Sequence, residues 1–550
     1  MSTTRSTSSD TSTERKRMRT RSKAWKALLA AAALLAVVVA AATAAADSSR
    51  AAAGTLVVDK SFDLKTADPQ RQFEVTGGIV AHVLYDTLLE FRGSDVATPR
   101  PSIATGYKAS KDAKTYTFTL RKDVRFSDGT PLTAKDVVFS YRRLINLKGN
   151  PSFLLGGVTS IGAKGNYTVV LKSKTPNPAL PAIVANASLG IVNSKVVKAN
   201  GGTDAVGADK TDKAEAFLNR TSAGTGPYVL KSFNTTSRVE LTANPRYTGR
   251  RKPKFANVVM RNVLAPAQLL SVQRGTNEIS IDLSPDQAKP LFGNKNVNVQ
   301  AVAGPNIWFL FANSNPKISE ITSNKRFQNA IRYGLDYSGS VRLAGKGSGR
   351  AAGVVPSQFL GALGDSAAIE QNLAKAKAEL AASGLKDPEV ELEFPSDFTS
   401  SGLSFGVIAQ KVQADLAKVG IKANLVGKPI ATSLANYRAG TEQLGLWLWG
   451  PDYPDPNDYL VFLPGQLVGL RAGWAAGSDA TLEALGRKAG STADPAVRGK
   501  LFKQLQTQLN QRGPFFPLFQ PGQVVAASKN LTGVVYNAQF QIDLSTIGSK

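Results

Sequence analysis

The sequence predicts an α/β fold of more than one domain. Three observations carry that expectation. Stretches whose apolar residues recur at every second position alternate with stretches that recur at every third or fourth, the pattern of strands interleaved with helices. The 550 residues exceed the roughly 100 to 200 that one domain usually takes. Apolar residues make up 42% and charged residues 20% of the chain, which suits a buried core under a solvated surface.

In chain order the first feature is an address. Arg15, Lys16, Arg17, Arg19, Arg21, Lys23 and Lys26 precede an apolar run over residues 27–46 that ends in Ala44, Ala45 and Ala46. A basic stretch, an apolar stretch and a small-residue exit form the layout of a secretory signal, so residues 1–46 are expected to direct export and be cleaved. The rival is an uncleaved anchor, since about 20 apolar residues span a bilayer. Only four Leu and three Val stand among the many Ala of this run, which favours cleavage. With either outcome the rest of the chain is expected outside the cytoplasm, periplasmic or at the cell surface, and in the second case tethered by the uncleaved helix. The sequence contains no cysteine, so a lipoprotein anchor, disulfides and thiolate metal sites are excluded.

The net charge is +26. Residues 1–46 hold eight of the 67 basic and two of the 41 acidic side chains, which leaves 59 against 39, or +20, on the remainder. A surface of that sign suits association with an anionic membrane or cell-wall polymer, or an anionic solute. Nucleic acid is not expected, because the basic residues are spread along the chain without a recognised binding motif.

Residues 55–59, TLVVD, read as a strand, and residues 77–91, which contain VLYDTLLEF, as a helix leading into another. Residues 115–144, TYTFTLRKDVRFSDGTPLTAKDVVFSYRRL, are the most informative stretch. Thr115, Thr117 and Thr119 alternate with Tyr116, Phe118 and Leu120, the period of a strand with one buried face. Ser127-Asp128-Gly129 supplies a turn, and Thr133 with Asp136 three residues later forms a capping-box pattern ahead of Val137, Val138, Tyr141 and Leu144 at helical spacing.

That segment resembles the family 5 solute-binding proteins of ABC importers, the group that includes oligopeptide- and dipeptide-binding proteins. Leu120, Arg121, Val124, Phe126, Asp128, Gly129, Pro131, Leu132, Thr133, Ala134, Asp136, Val137 and Ser140 match the family pattern LRxxVxFxDGxPLTAxDVxxS. Similar matches follow. Gly224-Thr225-Gly226-Pro227-Tyr228 and Asn244-Pro245-Arg246-Tyr247 resemble the family's GTGPY and its Asn-Pro-x-Tyr turn, and Arg326, Ala330, Ile331 and Asp336 fit a helix that reads VRQAIxxAID in relatives. Residues 374–384, AKAKAELAASG, match a further helix with Gly384 at its C-terminus, and Val407, Ile408, Val412, Leu416 and Val419 mark another. The resemblance covers residues 55–534 and implies two α/β lobes of the periplasmic-binding-protein type II fold joined by a two-stranded hinge, with an extra domain inserted in the first lobe (cluster C type). The expected division is residues 1–46 as signal peptide or anchor, 47–97 as lobe 1, 98–220 as the inserted domain, 221–305 as lobe 1 again, 306–522 as lobe 2 and 523–550 as a return to lobe 1.

The best site candidate is LGLWLWGPDYPDPNDY, residues 444–459. An aromatic strand is stopped by Pro451, Pro454 and Pro456, which would hold an acidic side chain on a stiff loop. In peptide-binding relatives the corresponding Asp meets the α-amino group of the ligand; here Trp449, Asp452, Asp455 and Pro456 occupy the pattern. The resemblance therefore implies Asp452 as the partner of a ligand ammonium, with Trp449 and Tyr453 beside it and Tyr85 and Asp86 facing it from the other lobe. A turn or cap role for Asp452 and a core role for Trp449 are the structural alternatives.

Enzyme chemistry has little footing. His82 is the only histidine, so a triad would depend on it and a multi-histidine metal site is excluded. Ser314-Asn315-Pro316-Lys317 has Ser-x-x-Lys spacing, but Pro316 disrupts the required helical turn, and Gly345-Lys346 is followed by Gly347 rather than by the Ser or Thr of a phosphate-binding loop. The expected function is the extracytoplasmic substrate-binding subunit of an ABC importer: a monomer without metal or cofactor that captures a peptide or other small amine-bearing solute and delivers it to membrane permease subunits. The alternatives are an exported serine hydrolase of the penicillin-recognising type and a peptide-sensing surface receptor.

Overall fold

The computed structural model describes residues 54–550. The signal or anchor reading of residues 1–46 lies outside the described residues. No helix among the described residues is long and apolar enough to cross a membrane.

Two large mixed sheets organise the chain. In the first, seven strands lie in the order Val297–Ala303, Gly522–Ser528, Glu278–Ser280, Thr55–Lys60, Asn257–Asn262, Arg238–Ala243, Tyr228–Phe233. The central Thr55–Lys60 runs parallel to both neighbours, with Val58 opposite Met260 and Ile279. The second sheet has six strands in the order Gly349–Arg350, Phe515–Gln520, Ile307–Ala312, Leu444–Trp449, Glu389–Pro395, Lys422–Lys428. Its core strand reads IWFLFA because both faces are covered. Ile307, Phe309 and Phe311 pack into one hydrophobic cluster and Trp308, Leu310 and Ala312 into another, so the usual polar alternation is absent.

The chain crosses between the sheets twice at one place. Residues 304–306 separate Val297–Ala303 from Ile307–Ala312, and Pro521 alone separates Phe515–Gln520 from Gly522–Ser528. The crossings are tied together: the Gly304 N–H donates to the Pro521 carbonyl at 2.8 Å, and Gln520 Nε2 donates to the Gly304 carbonyl at 2.7 Å. Two short segments bonded side by side form the expected two-stranded hinge.

Between the early strands of the first sheet the chain builds a separate antiparallel sheet, ordered Ala104–Ala109, Thr115–Leu120, Thr168–Ser173, Val158–Ala163. Tyr116, Phe118 and Leu120 are buried, as the period of two requires. Helix Ala134–Asn146 begins where Asp136 Oδ2 accepts from the Thr133 N–H at 2.9 Å and from its hydroxyl at 2.8 Å. The same carboxylate reaches out through Oδ1 to the Ser194 N–H and hydroxyl, so the cap also pins the next segment. Arg143 on this helix is fully buried and forms hydrogen-bonded ion pairs with Asp68 at 2.6 Å and Asp212 at 2.8 Å. The apolar interior of this region continues without a break into the Phe309 face of the second sheet.

Gly224 and Gly226 are needed for close approach. Neither has a positive φ, but a Cβ at Gly224 would stand 2.1 Å from the Leu84 carbonyl oxygen and one at Gly226 2.3 Å from that of Val83. The chain passes directly over the end of helix Val75–Leu84, which only glycine permits.

Candidate functional site

Strand Leu444–Trp449 ends at Gly450 and the three prolines lead into a short 3-10 helix, Pro456–Phe462. The loop carries three carboxylates with different surroundings. Asp455 is buried against Arg498, accepting from Nη1 at 2.8 Å, and caps the 3-10 helix by accepting from the Asn457 N–H at 2.9 Å. Asp458 is buried, and its Oδ2 accepts from the Trp449 indole N–H and the Asp452 backbone N–H, each at 3.2 Å. Asp452 is half-buried in the wall of a cavity of about 300 Å³ between the lobes.

Asp455 has its arginine; Asp452 and Asp458 have no ion-pair partner among the described residues, and the electrostatics reflect it. Burial pushes the Asp452 carboxyl up to about 6. Burial, and then the charge of Asp452, hold Asp458 well above the usual carboxylate range. Asp458 therefore keeps its proton longer while Asp452 carries the charge toward the cavity. A half-buried carboxylate without a counter-ion, fixed by its own backbone bond to a second acid, is suited to accept hydrogen bonds from a cation.

The facing wall comes from three segments of the first lobe and the inserted region. Phe73, Glu74 and Val75 lead into helix Val75–Leu84; Asn186 caps the short 3-10 turn Ala187–Leu189, whose Ala187 and Ser188 line the cavity with it; and the hairpin Tyr536–Asn537 with Gln541–Ile542 presents Gln539, Phe540 and Gln541. Each is fixed from behind. Gln72 and Ser188 exchange hydrogen bonds at 3.0 and 3.1 Å. The Phe540 ring stacks on His82 with centroids 3.9 Å apart and planes 11° from parallel. His82 is held below its usual range by burial and by the Arg251 guanidinium, so the stack is between two uncharged rings. Across the cavity, Asn186 Nδ2 donates to the Asp452 carbonyl at 3.1 Å.

Of the five residues singled out in the sequence, the structure brings one to this cavity. Asp452 lines it. Trp449 sits just behind, edge-on to Phe462 with ring centroids 6.2 Å apart, and holds Asp458. Tyr453 packs partly buried against the same core. The pairing of Tyr85 and Asp86 with Asp452 across the cleft is corrected. Tyr85 is 1% exposed and enclosed by Gly190 and Gly224, where an added Cβ would fall 2.5 Å from it in each case. Asp86 forms an ion pair with Arg251 at 2.8 Å and lines a different cavity beside Glu90 and Arg121. The physical reason is the helix end: at Leu84 the helix stops, Tyr85 is extended, and its ring turns into the lobe's interior. Sequence reasoning missed Asp458, Asn186 and the 536–541 hairpin. Asp458 had a signal, an acid within the same proline-rich loop; the other two are brought in by folding from 266 residues upstream and from the C-terminal segment.

Comparison with known proteins agrees with this architecture. Among curated relatives, the Probable D,D-dipeptide-binding periplasmic protein DdpA of Escherichia coli (strain K12) is 27% identical over 493 residues, covering 88% of this chain and 92% of that protein. Among solved structures, HbpA2 from Haemophilus parasuis superposes with a TM-score of 0.79 at 24% identity over 90% of this chain and 100% of that one. The periplasmic binding protein DppA from Helicobacter pylori, in complex with peptide STSA, gives 0.70 at 21% identity over 90% and 98%. These neighbours share the two-lobed α/β fold. The family profile described as "Bacterial extracellular solute-binding proteins, family 5 Middle" matches residues 98–466, more than half of the chain and including both the capped helix and the Asp452 loop, and the chain belongs to that family.

Proposed function

We propose that this solute-binding protein captures peptides, or similar amine-bearing solutes, by holding their ammonium group on Asp452, and hands them to the permease of an ABC importer. The carrying observation is the Asp452 carboxylate, which faces the interlobe cavity without an ion-pair partner and is positioned by Asp458 through its own N–H. In this reading Trp449 and Tyr453 support the loop and do not touch the ligand. The relative that is named as D,D-dipeptide-binding, and the neighbour solved with a peptide, favour the same ligand class. The cavity volume, about 300 Å³, is at the small end of the roughly 300 to 1,000 Å³ of ligand sites, which favours a short peptide.

The protein works as a binder without catalysis: Ser314 and Lys317 lie away from the cavity lining, and His82 is stacked under Phe540. It acts as a monomer outside the cytoplasm, without a lipid anchor, and residues 98–220 serve as the inserted domain between the two parts of lobe 1. Its basic charge suits loose association with anionic membrane or cell-wall polymer, which salt-sensitive cosedimentation with anionic vesicles tests.

Titration calorimetry with free-amino and N-acetylated peptides is the decisive experiment. N-acetylation and Asp452→Asn should each cost about 2 to 5 kcal/mol, the usual penalty for truncating one partner of a buried charge pair. Equal affinity for the two peptide forms would remove Asp452 from the site.

A further inference from the structure

The charges around the interlobe cavity set a condition on what fills it. Its lining contains two acids, Asp452 and Glu74, and no Lys, Arg or His among the described residues. Glu74 is already committed: Oε1 holds Lys65 Nζ at 2.7 Å and Oε2 accepts from the Phe73 N–H at 3.1 Å. The basic side chains behind the walls are committed too. Lys65 is paired with Glu74, Arg71 with Asp68 and Asp212, and Arg251 with Asp86 and Asp543. Gln541, in a left-handed backbone conformation at φ 59°, keeps its buried Oε1 without a donor. The unmet needs of the cavity are for a positive charge at Asp452 and for an N–H donor at Gln541 Oε1.

A free dipeptide meets the first need and violates the second. Its carboxylate lies within roughly 7 Å of its ammonium, two residues of extended chain, so both ends enter the same small cavity. There the carboxylate finds no cation, only neutral amides such as those of Asn306 and Gln539, and shares the space with Asp452, a like charge. A C-terminal amide removes the negative charge and adds two N–H donors.

We infer that the cavity selects ligands of net positive charge, amine-bearing solutes whose carboxylate is capped or absent, over free zwitterionic dipeptides. The inference rests on the reading of Asp452 as the ammonium site and narrows the ligand class within it.

The test incubates the purified protein, stripped of co-purified ligand, with an equimolar mixture of three mixed-sequence dipeptide libraries: free acids, C-terminal amides and N-acetylated amides. Retained compounds are released and quantified by mass spectrometry. Amides should be enriched at least about tenfold over free acids, the ratio expected if one unpaired carboxylate costs 1.4 kcal/mol or more, and acetylated amides should be lost. Free acids retained as well as amides, or better, overturn the charge selectivity and leave the ammonium reading standing. Acetylated amides retained as well as free-amino amides, or no compound retained from any library, overturn the ammonium reading and this inference with it.

Discussion

Asp452 and Asp458 divide one task between two carboxyls, and pH should expose the division. Because burial sets the Asp452 carboxyl near 6, lowering the pH through that value neutralises the group that faces the ligand. Affinity for an amine is expected to be flat above pH 7 and to fall by about tenfold per pH unit below about 5, the behaviour of a single essential ionisation; calorimetry at constant ionic strength reads it, and a pH-independent affinity would count against the ion pair. Glu442 gives the matching stability experiment. It is buried just ahead of strand Leu444–Trp449, forms no ion pair among the described residues, and accepts from the Trp447 indole N–H at 2.8 Å. Burial pushes its carboxyl up to about 9. The folded state keeps this proton where the unfolded chain has released it, so stability is full below about pH 4.5 and is lost as pH rises toward 9. Glu442→Gln should raise the melting temperature at pH 8 while changing it little at pH 4.5, with a gain on the order of 3 kcal/mol at neutral pH. A variant that melts lower at both pH values would show that the carboxyl is needed as such.

At the scale of elements, helix Ala134–Asn146 does more than form the inserted sheet's partner. Its Arg143 grips Asp68 in the segment that leads to Phe73 and Glu74, and Asp212 in the segment that follows, so a residue remote from the ligand fixes one wall of the cavity. Asp212 is correspondingly held down to about 2, burial being outweighed by the Arg143 hydrogen bond and charge. Arg143→Met leaves the buried Asp68 and Asp212 with Arg71 as their one remaining cation among the described residues and should cost about 3 to 5 kcal/mol, read by urea unfolding at pH 7. The ion pair's contribution is present above about pH 4 and fades as pH falls toward 2, so the gap between parent and variant should close in acid. A constant gap would assign the loss to packing. The helix start itself was legible in the sequence, because Thr133, Asp136 and the apolar spacing act within a few residues of one another. Arg143 was legible only as a charge on an amphipathic helix: its partners lie 75 and 69 residues away.

For the whole molecule, the two large sheets are joined at one place by a pair of hydrogen-bonded crossings at Gly304 and Pro521, the geometry that closure about a hinge requires. Ligand binding needs only a few kcal/mol of preference for the closed arrangement to shift the population. The Asn186 bond to the Asp452 carbonyl joins the two sides of the cavity and so favours closure. Asn186→Ser retains a short oxygen to cap the following 3-10 turn but cannot reach the other lobe. It should weaken ligand binding by about 0.5 to 1.5 kcal/mol, the net value of one hydrogen bond, with the ligand-free melting temperature nearly unchanged. Unaltered affinity would place the bond outside the energetics of closure.

The sequence by itself determined the α/β class, the capped helix, the family resemblance and the loop that holds Asp452. Each rests on residues close together along the chain, where period, capping and proline stiffness act locally. Tertiary structure alone decided what Asp452 faces. Tyr85 and Asp86 stand where the resemblance placed them in the chain, yet the end of helix Val75–Leu84 turns one into the core and Arg251 claims the other. The facing wall is assembled instead from the 73–75 and 186–188 segments and the 536–541 hairpin. Burial of both sheet faces and the two crossings at one hinge bring those segments together, and no local pattern records an encounter between residues 266 positions apart.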